Sequence, residues 1–159
     1  MSDKIPAPGS VSIYTILAQL FATITNDVIE RFGVDGEETI RQAVRTFGEK
    51  RGRNIAANVE KAGLEKEVNN YLSFYDMERS NLFKYENKDT KDQLEQHFSE
   101  CIFAKAWSEM GMEKYGLLYC QEIDPAIARG YNSKLKCIHD RYLLKGDGCC
   151  HFVFKMEDS

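Results

Sequence analysis

The spacing of apolar residues changes period along this chain, and that change limits the folds open to it. Ile13, Ile16, Leu17, Leu20, Phe21, Ile24, Val28 and Ile29 recur at helical spacing near the start. Near the end the period is two. Cys150, Phe152, Phe154 and Met156 fall on one face of an extended segment, and Cys149, His151 and Val153 on the other. A helical layer built first and a sheet built last follow from that order.

Ser10 or Ser12 can cap the first helix, and Gly33 closes it. Asp35 caps a second helix whose apolar face includes Ile40, Ala43, Val44 and Phe47. Gly48 and Gly52 interrupt that face. Each costs about 1 kcal/mol in a helix interior, so they imply close helix packing or a break near residue 50. A third helical stretch covers Leu64 to Met77. Alternation around Leu82 to Glu86 favours a strand, while Gln93 to Glu100 fits strand or helix. Ile102 to Met110 reads as a helix closed by Gly111. Lys134 to Leu144, the turn Gly146-Asp147-Gly148, and Cys149 to Met156 read as a β-hairpin. The expected fold is α+β: N-terminal helices packed on a small antiparallel sheet that ends in a C-terminal β-hairpin. With 159 residues, the chain suits a single domain over 1–159, residues 1–9 forming a flexible leader.

The net charge of −4 argues against nucleic acid as a partner. Arg41, Arg45, Lys50, Arg51 and Arg53 form one local basic cluster, read as a solvated helix face. No apolar run is long enough for a membrane span, and the N-terminus lacks the basic start and apolar stretch of a signal peptide. A cytoplasmic location with reduced thiols is expected. The odd count of five cysteines also fits a disulfide framework poorly.

All five cysteines lie in the last third: Cys101, Cys120, Cys137, Cys149 and Cys150. With His97, His139, His151 and Asp124 among them, a thiol-centred site in the C-terminal half is the natural candidate. Asp124-Pro125 reads as a helix start, with Asp124 as cap. If residues 115–123 are helical, Cys120 and Asp124 lie four apart on one face. His97 and Cys101 share that spacing if their segment is helical. The gaps between cysteines are too long for a typical structural zinc site, and the adjacent pair Cys149-Cys150 points to opposite faces of a strand. No metal and no cofactor are therefore expected. Cys137 and Trp107 read as core residues. Phosphate-loop, dinucleotide and nucleophile-elbow motifs are absent from the sequence.

From Cys101 to Met156 the landmarks follow a fixed order: CIFAKAWSEMG, then GLLYC ending in Cys120, then Asp124, Gly130-Tyr131-Asn132, and the hairpin LLKGDGCCHFVF. In this the chain resembles the L-2-amino-thiazoline-4-carboxylic acid hydrolase family. The glycine–cysteine–aromatic hairpin is also similar, more faintly, to the 4-vinyl reductase domain, which binds small molecules. The first resemblance implies a hydrolase acting on a C–N bond of a cyclic amidine or amide. It implies Cys101, Cys120 and Cys150 as catalytic positions and Asp124 as acid/base or amidinium ligand; His151 is a candidate proton carrier by its place beside Cys150 alone, not by the resemblance. The expected partner is a small-molecule substrate. The competing expectation is a sensor domain that binds a small molecule or zinc without turning anything over. An assembly role would use the apolar face of residues 11–32, through which a homodimer is compatible with each reading.

Overall fold

In a computed structural model, which describes residues 7–78 and 80–158, Ser12 starts the first helix by accepting the Thr15 N–H at 3.1 Å. The expected leader lies outside the described residues as far as residue 6. Helix α1 (Ile13–Lys61) is broken by a kink at Gly33, the point where the sequence suggested an end. Gly33 takes φ +60° and ψ −133°, outside the helical range, and divides α1 into two helical segments; glycine adopts that backbone without a Cβ penalty. The second segment begins just after that kink, next to Asp35, where the sequence placed a helix start. Between Leu64 and Met77 the helical part is short: α2 spans Val68–Ser73.

Two strands follow, β1 (Phe83–Asp89) and β2 (Gln93–Cys101), so the ambiguous segment before residue 101 is a strand. Helix α3 (Ile102–Glu109) ends at Gly111, which has φ +65°. Helix α4 (Glu113–Tyr131) contains Asp124 and Pro125 in its interior, which overturns the reading of Asp124 as a cap. The Asp-Pro pair looks locally like a helix start, but the helix begins eleven residues earlier at Glu113. An internal proline costs about 3 kcal/mol, and burial of α4 between α1 and the sheet offsets it. The hairpin is present as expected, formed by β3 (Leu135–Arg141) and β4 (Cys150–Met156) around a short helical turn at Leu143–Lys145.

All strand pairs are antiparallel, in the order β1-β2-β4-β3. One face is covered by helices. Leu94, Phe152, Phe154 and Leu135 from that face join Val44, Ile55, Val59, Tyr71, Ile127 and Tyr131 in the main core. The other face is solvated, as antiparallel sheets allow; Lys84, Glu86, Lys136, Ile138 and Lys155 lie exposed along it. A second cluster joins the front of α1 (Ala18, Ala22) to Trp107 and Tyr115, with the Trp107 indole N–H donating to the Ala18 carbonyl at 2.7 Å. Ile13, Ile16, Leu17, Leu20 and Ile24 stay exposed on the same helix.

Gly48 and Gly52 of α1 are explained by close packing and not by a break. A Cβ on Gly52 would overlap the Ile127 carbonyl oxygen, and one on Gly130 would overlap the Glu49 carbonyl oxygen. A Cβ on Gly48 would sit 2.7 Å from the Ala126 methyl. The α1 and α4 backbones thus approach too closely for side chains at these points. Gly52→Ala should destabilise the fold by about 3 kcal/mol, at the upper end of the usual cost of overpacking. Denaturant unfolding of that variant against wild type reads the loss; an unchanged midpoint would show that the helices do not cross so closely.

Candidate functional site

A cavity of about 320 Å³ lies between the helices and the covered face of the sheet. Its walls are largely aromatic, with Tyr71, Tyr75, Phe98, Phe103, Tyr119 and Phe152 among them. Cys101, Cys120, Asp124 and Cys150 all line it, so the fold brings together the three cysteines and the carboxylate that the family resemblance implied. Cys120 and Asp124 do so because they lie four apart on α4. Cys150 does so because it shares a strand face with Phe152 and Phe154, which also line the cavity.

Cys101 reaches the cavity through an irregularity. Along β2, Tyr85 pairs with Phe98 and Lys84 with Glu100, which leaves Ser99 as an extra residue. Such a bulge shifts the alternation by one. Gln96, Phe98 and Cys101 consequently share the cavity, while His97 points to the other side of the sheet, opposite His151. The helical pairing of His97 with Cys101 therefore does not exist. His151 is likewise separated from Cys150 by the sheet itself: it bonds Asp140 and Glu95 on the solvated face, so it cannot move protons in the cavity.

Burial sets the chemistry of the cavity. It raises the Asp124 carboxyl from its ordinary value to about 6, against the opposing charge of Arg51. The same desolvation pushes Cys150 up to about 11, although the Leu143 N–H donates to its sulfur at 3.4 Å. Cys120 is also driven well above its ordinary value by burial, and the other two thiols and Asp124 add to the shift. Cys101 is also raised by burial. There, however, the Phe103 and Ala104 N–H groups favour the thiolate, because Cys101 is the N-cap residue of α3. At neutral pH the thiols rest protonated beside a largely ionised carboxylate.

Two contributors were missed in the sequence. Arg51, read as part of a solvated face, lines the cavity with its side chain only 16% exposed. Burial opposes its charge, but Asp76 more than compensates, accepting from Nε at 3.0 Å and from Nη2 at 2.7 Å. Its guanidinium also stands 5.5 Å from the Tyr75 ring centre and 5.7 Å from that of Phe47. Lys50 and Arg53 are exposed as expected, whereas Arg41 and Arg45 both bind Glu122 of α4. The second contributor is His139. Its Nδ1–H donates to the Cys120 carbonyl at 3.2 Å, and its ring lies between Tyr142 and Phe152 at 3.7 and 3.9 Å. Burial holds it neutral, with a pKa of about 4. Among the described residues its Nε2 has no hydrogen-bond partner, nor does the Tyr71 hydroxyl, and both residues line the cavity. Histidine count alone could not single out His139; its strand parity with Cys137, two residues before it on β3, was the available signal.

A helical layer over one face of an antiparallel sheet, enclosing an aromatic cavity with thiols and a buried acid, defines an α+β domain built around an internal site. Residues 14–154 match the family described as L-2-amino-thiazoline-4-carboxylic acid hydrolase, and the chain belongs to that family. A search of curated proteins finds no match. Among solved structures, the chain is similar to a trafficking protein particle complex subunit 3 from Naegleria fowleri covalently bound to palmitic acid. The two share 14% identity at a TM-score of 0.56, over 91% of this chain and 95% of that one. An H-NOX protein from S. oneidensis in the Fe(II) ligation state is more distant, with 14% identity and a TM-score of 0.46, over 100% of this chain and 81% of that one. No helix among the described residues is long and apolar enough to cross a membrane.

Asp124 provides a test of this electrostatic arrangement. An acid whose folded pKa lies above its unfolded value stabilises the fold while protonated, and that contribution is lost as pH rises from about 4 to about 6. Above that window the buried carboxylate costs about 2–3 kcal/mol. Asp124→Asn should therefore be more stable than wild type at pH 7.5 and equal to it near pH 4. Urea unfolding of both proteins at the two pH values measures the difference, and a pH-independent gap would refute the buried carboxylate.

Proposed function

We propose that this chain is a cofactor-free hydrolase that opens a C–N bond of a small cyclic amidine or amide, such as a thiazoline carboxylate, within the cavity. The observation that carries this reading is Asp124: a carboxyl pushed up to about 6 by burial, beside three thiols in a largely apolar cavity. A group poised near neutrality is what general acid–base chemistry needs. Membership of a family named for hydrolysis of a thiazoline carboxylate supports the substrate class.

Cys101 is the best-placed nucleophile, since the N-terminus of α3 favours its thiolate. Asp124 takes the thiol proton as the sulfur bonds to the amidine carbon. It returns that proton to the ring nitrogen as the C–N bond breaks, and the exocyclic amino group of an amidine gives the departing nitrogen its second proton as it becomes an imine. Water then adds to the same carbon and displaces the cysteine sulfur, which regains a proton. Arg51 attracts the substrate carboxylate. The partnerless Nε2 of His139 and Tyr71 hydroxyl suit a ligand with its own polar hydrogens and acceptors better than a bare hydrocarbon.

A second reading has one observation in its favour. Burial keeps the thiols protonated, as in a pocket that binds without reacting. The cavity is also mostly apolar, and the related fold of the trafficking subunit is described with covalently bound palmitic acid. On this reading the domain senses a small ligand and turns nothing over.

Incubation with a thiazoline carboxylate, followed by mass spectrometry and separate assays for free amine and free thiol, decides between them. Ring opening at C–N releases an amine; opening at the ring C–S bond releases a thiol. Wild-type kcat/KM should rise as pH crosses about 6, with the ionisation of Asp124. Asp124→Asn should lower kcat by about 10²–10⁴-fold, and Cys101→Ser should remove turnover with the fold retained. Thermal stabilisation by the substrate without any product would favour the sensor.

A further inference from the structure

The solvated face of the sheet carries a cluster that the cavity does not use. Glu95 and His97 are two apart on β2 and so point the same way. His97 stands directly opposite His151 on β4, their ring centres 4.4 Å apart. The Glu95 carboxylate oxygen Oε1 lies 2.8 Å from His151 Nε2 and 3.9 Å from His97 Nε2. One donor atom from each of the three residues can be chosen so that all lie within 4.8 Å of one another. We propose that Glu95, His97 and His151 form a divalent transition-metal site, best suited to zinc, that clamps β2 to β4 on the face opposite the cavity.

The donor set fits that ion. Two imidazoles and one carboxylate are a common protein ligand set for zinc and leave a fourth position open for water. Neutral nitrogen donors select against magnesium and calcium, which prefer oxygen. Zinc–donor bonds near 2.0–2.2 Å put tetrahedral donors about 3.3–3.5 Å apart. The Glu95–His151 pair, hydrogen-bonded at 2.8 Å, opens by about 0.6 Å to admit the ion. His97, with its side chain 38% exposed, needs only a small rotation to close the third edge.

The surroundings of His151 are a second, independent observation. Its Nδ1 lies 2.6 Å from the Asp140 carboxylate. A carboxylate on one ring nitrogen with the other nitrogen left for metal is the usual outer support of a metal-binding histidine. Asp140 occupies this place because β3 bulges there: His139 pairs with Phe152 and Arg141 with His151, leaving Asp140 as the extra residue. Bulges of this kind re-aim side chains near functional sites. Both nitrogens of His151 thus face carboxylate oxygens, which only accept.

The test is titration of the full, chelator-treated chain with zinc chloride by calorimetry, followed by cobalt(II) absorption spectroscopy. One equivalent of zinc should bind. His97→Gln and His151→Gln should each weaken binding at least a hundredfold, and Asp140→Asn by about 10–100-fold through loss of the outer support. Cys101→Ser and Cys150→Ser should bind as wild type. The cobalt form should show ligand-field bands without the near-ultraviolet charge-transfer band of thiolate ligation. Absence of stoichiometric binding, binding unaffected by the histidine changes, or a thiolate band would overturn the site. The cobalt spectrum uses only wild-type protein, so the answer does not depend on any variant folding. Loss of this site would leave the cavity reading untouched, since the two lie on opposite faces of the sheet.

Discussion

The near-contact of the α1 and α4 backbones holds the rest in place. Gly48 and Gly52 on one helix, and Gly130 on the other, remove the side chains that would keep the helices apart. Arg41 and Arg45 then meet Glu122 across the crossing, and Arg129 meets Glu49. The charge of Glu122 is favoured there, its pKa lowered by the two arginines against some desolvation. At such half-exposed positions the ion pairs contribute less than the close packing does. What they fix is rotation: with α4 held in this register, its other face turns Cys120, Ile123 and Asp124 toward the sheet.

Desolvation is the common cause behind the site's properties. It lifts an aspartate toward neutrality, keeps thiols protonated and strips His139 of its charge. The same environment would strengthen each new polar contact made by a ligand. Arg51 is the exception, because Asp76 holds the cation at the edge of an aromatic enclosure. Acid and cation therefore stand in one cavity without neutralising each other: Arg51 is engaged elsewhere, and Asp124 retains a raised pKa in spite of it.

The sheet separates two chemistries within a single strand. On β4, Cys150 and Phe152 face the cavity, while His151 between them faces solvent with Glu95, His97 and Asp140. Two bulges create this division. Ser99 returns Cys101 to the inner face, and Asp140 is released from the ladder to reach His151. Neighbours in sequence are here distant in environment, as the period of a strand requires.

Patterns that depend on local periodicity were legible in the amino-acid sequence. The alternation of Cys150, Phe152 and Phe154 gave the hairpin and its inner face, and the four-residue spacing of Cys120 and Asp124 held once α4 was helical. The family landmarks pointed to the residues that now line one cavity. The break at Gly33 was legible, whereas the Asp124-Pro125 pair was misread because a local helix-start signal was outweighed by packing energy along α4. The alternation also set His151 apart from Cys150, but the burial of Arg51, the neutrality of His139 and the contact of Asp140 with His151 left no local signal. Each depends on a residue far away in sequence or on a one-residue bulge, and only the tertiary structure, by choosing which surfaces lose water, decided them.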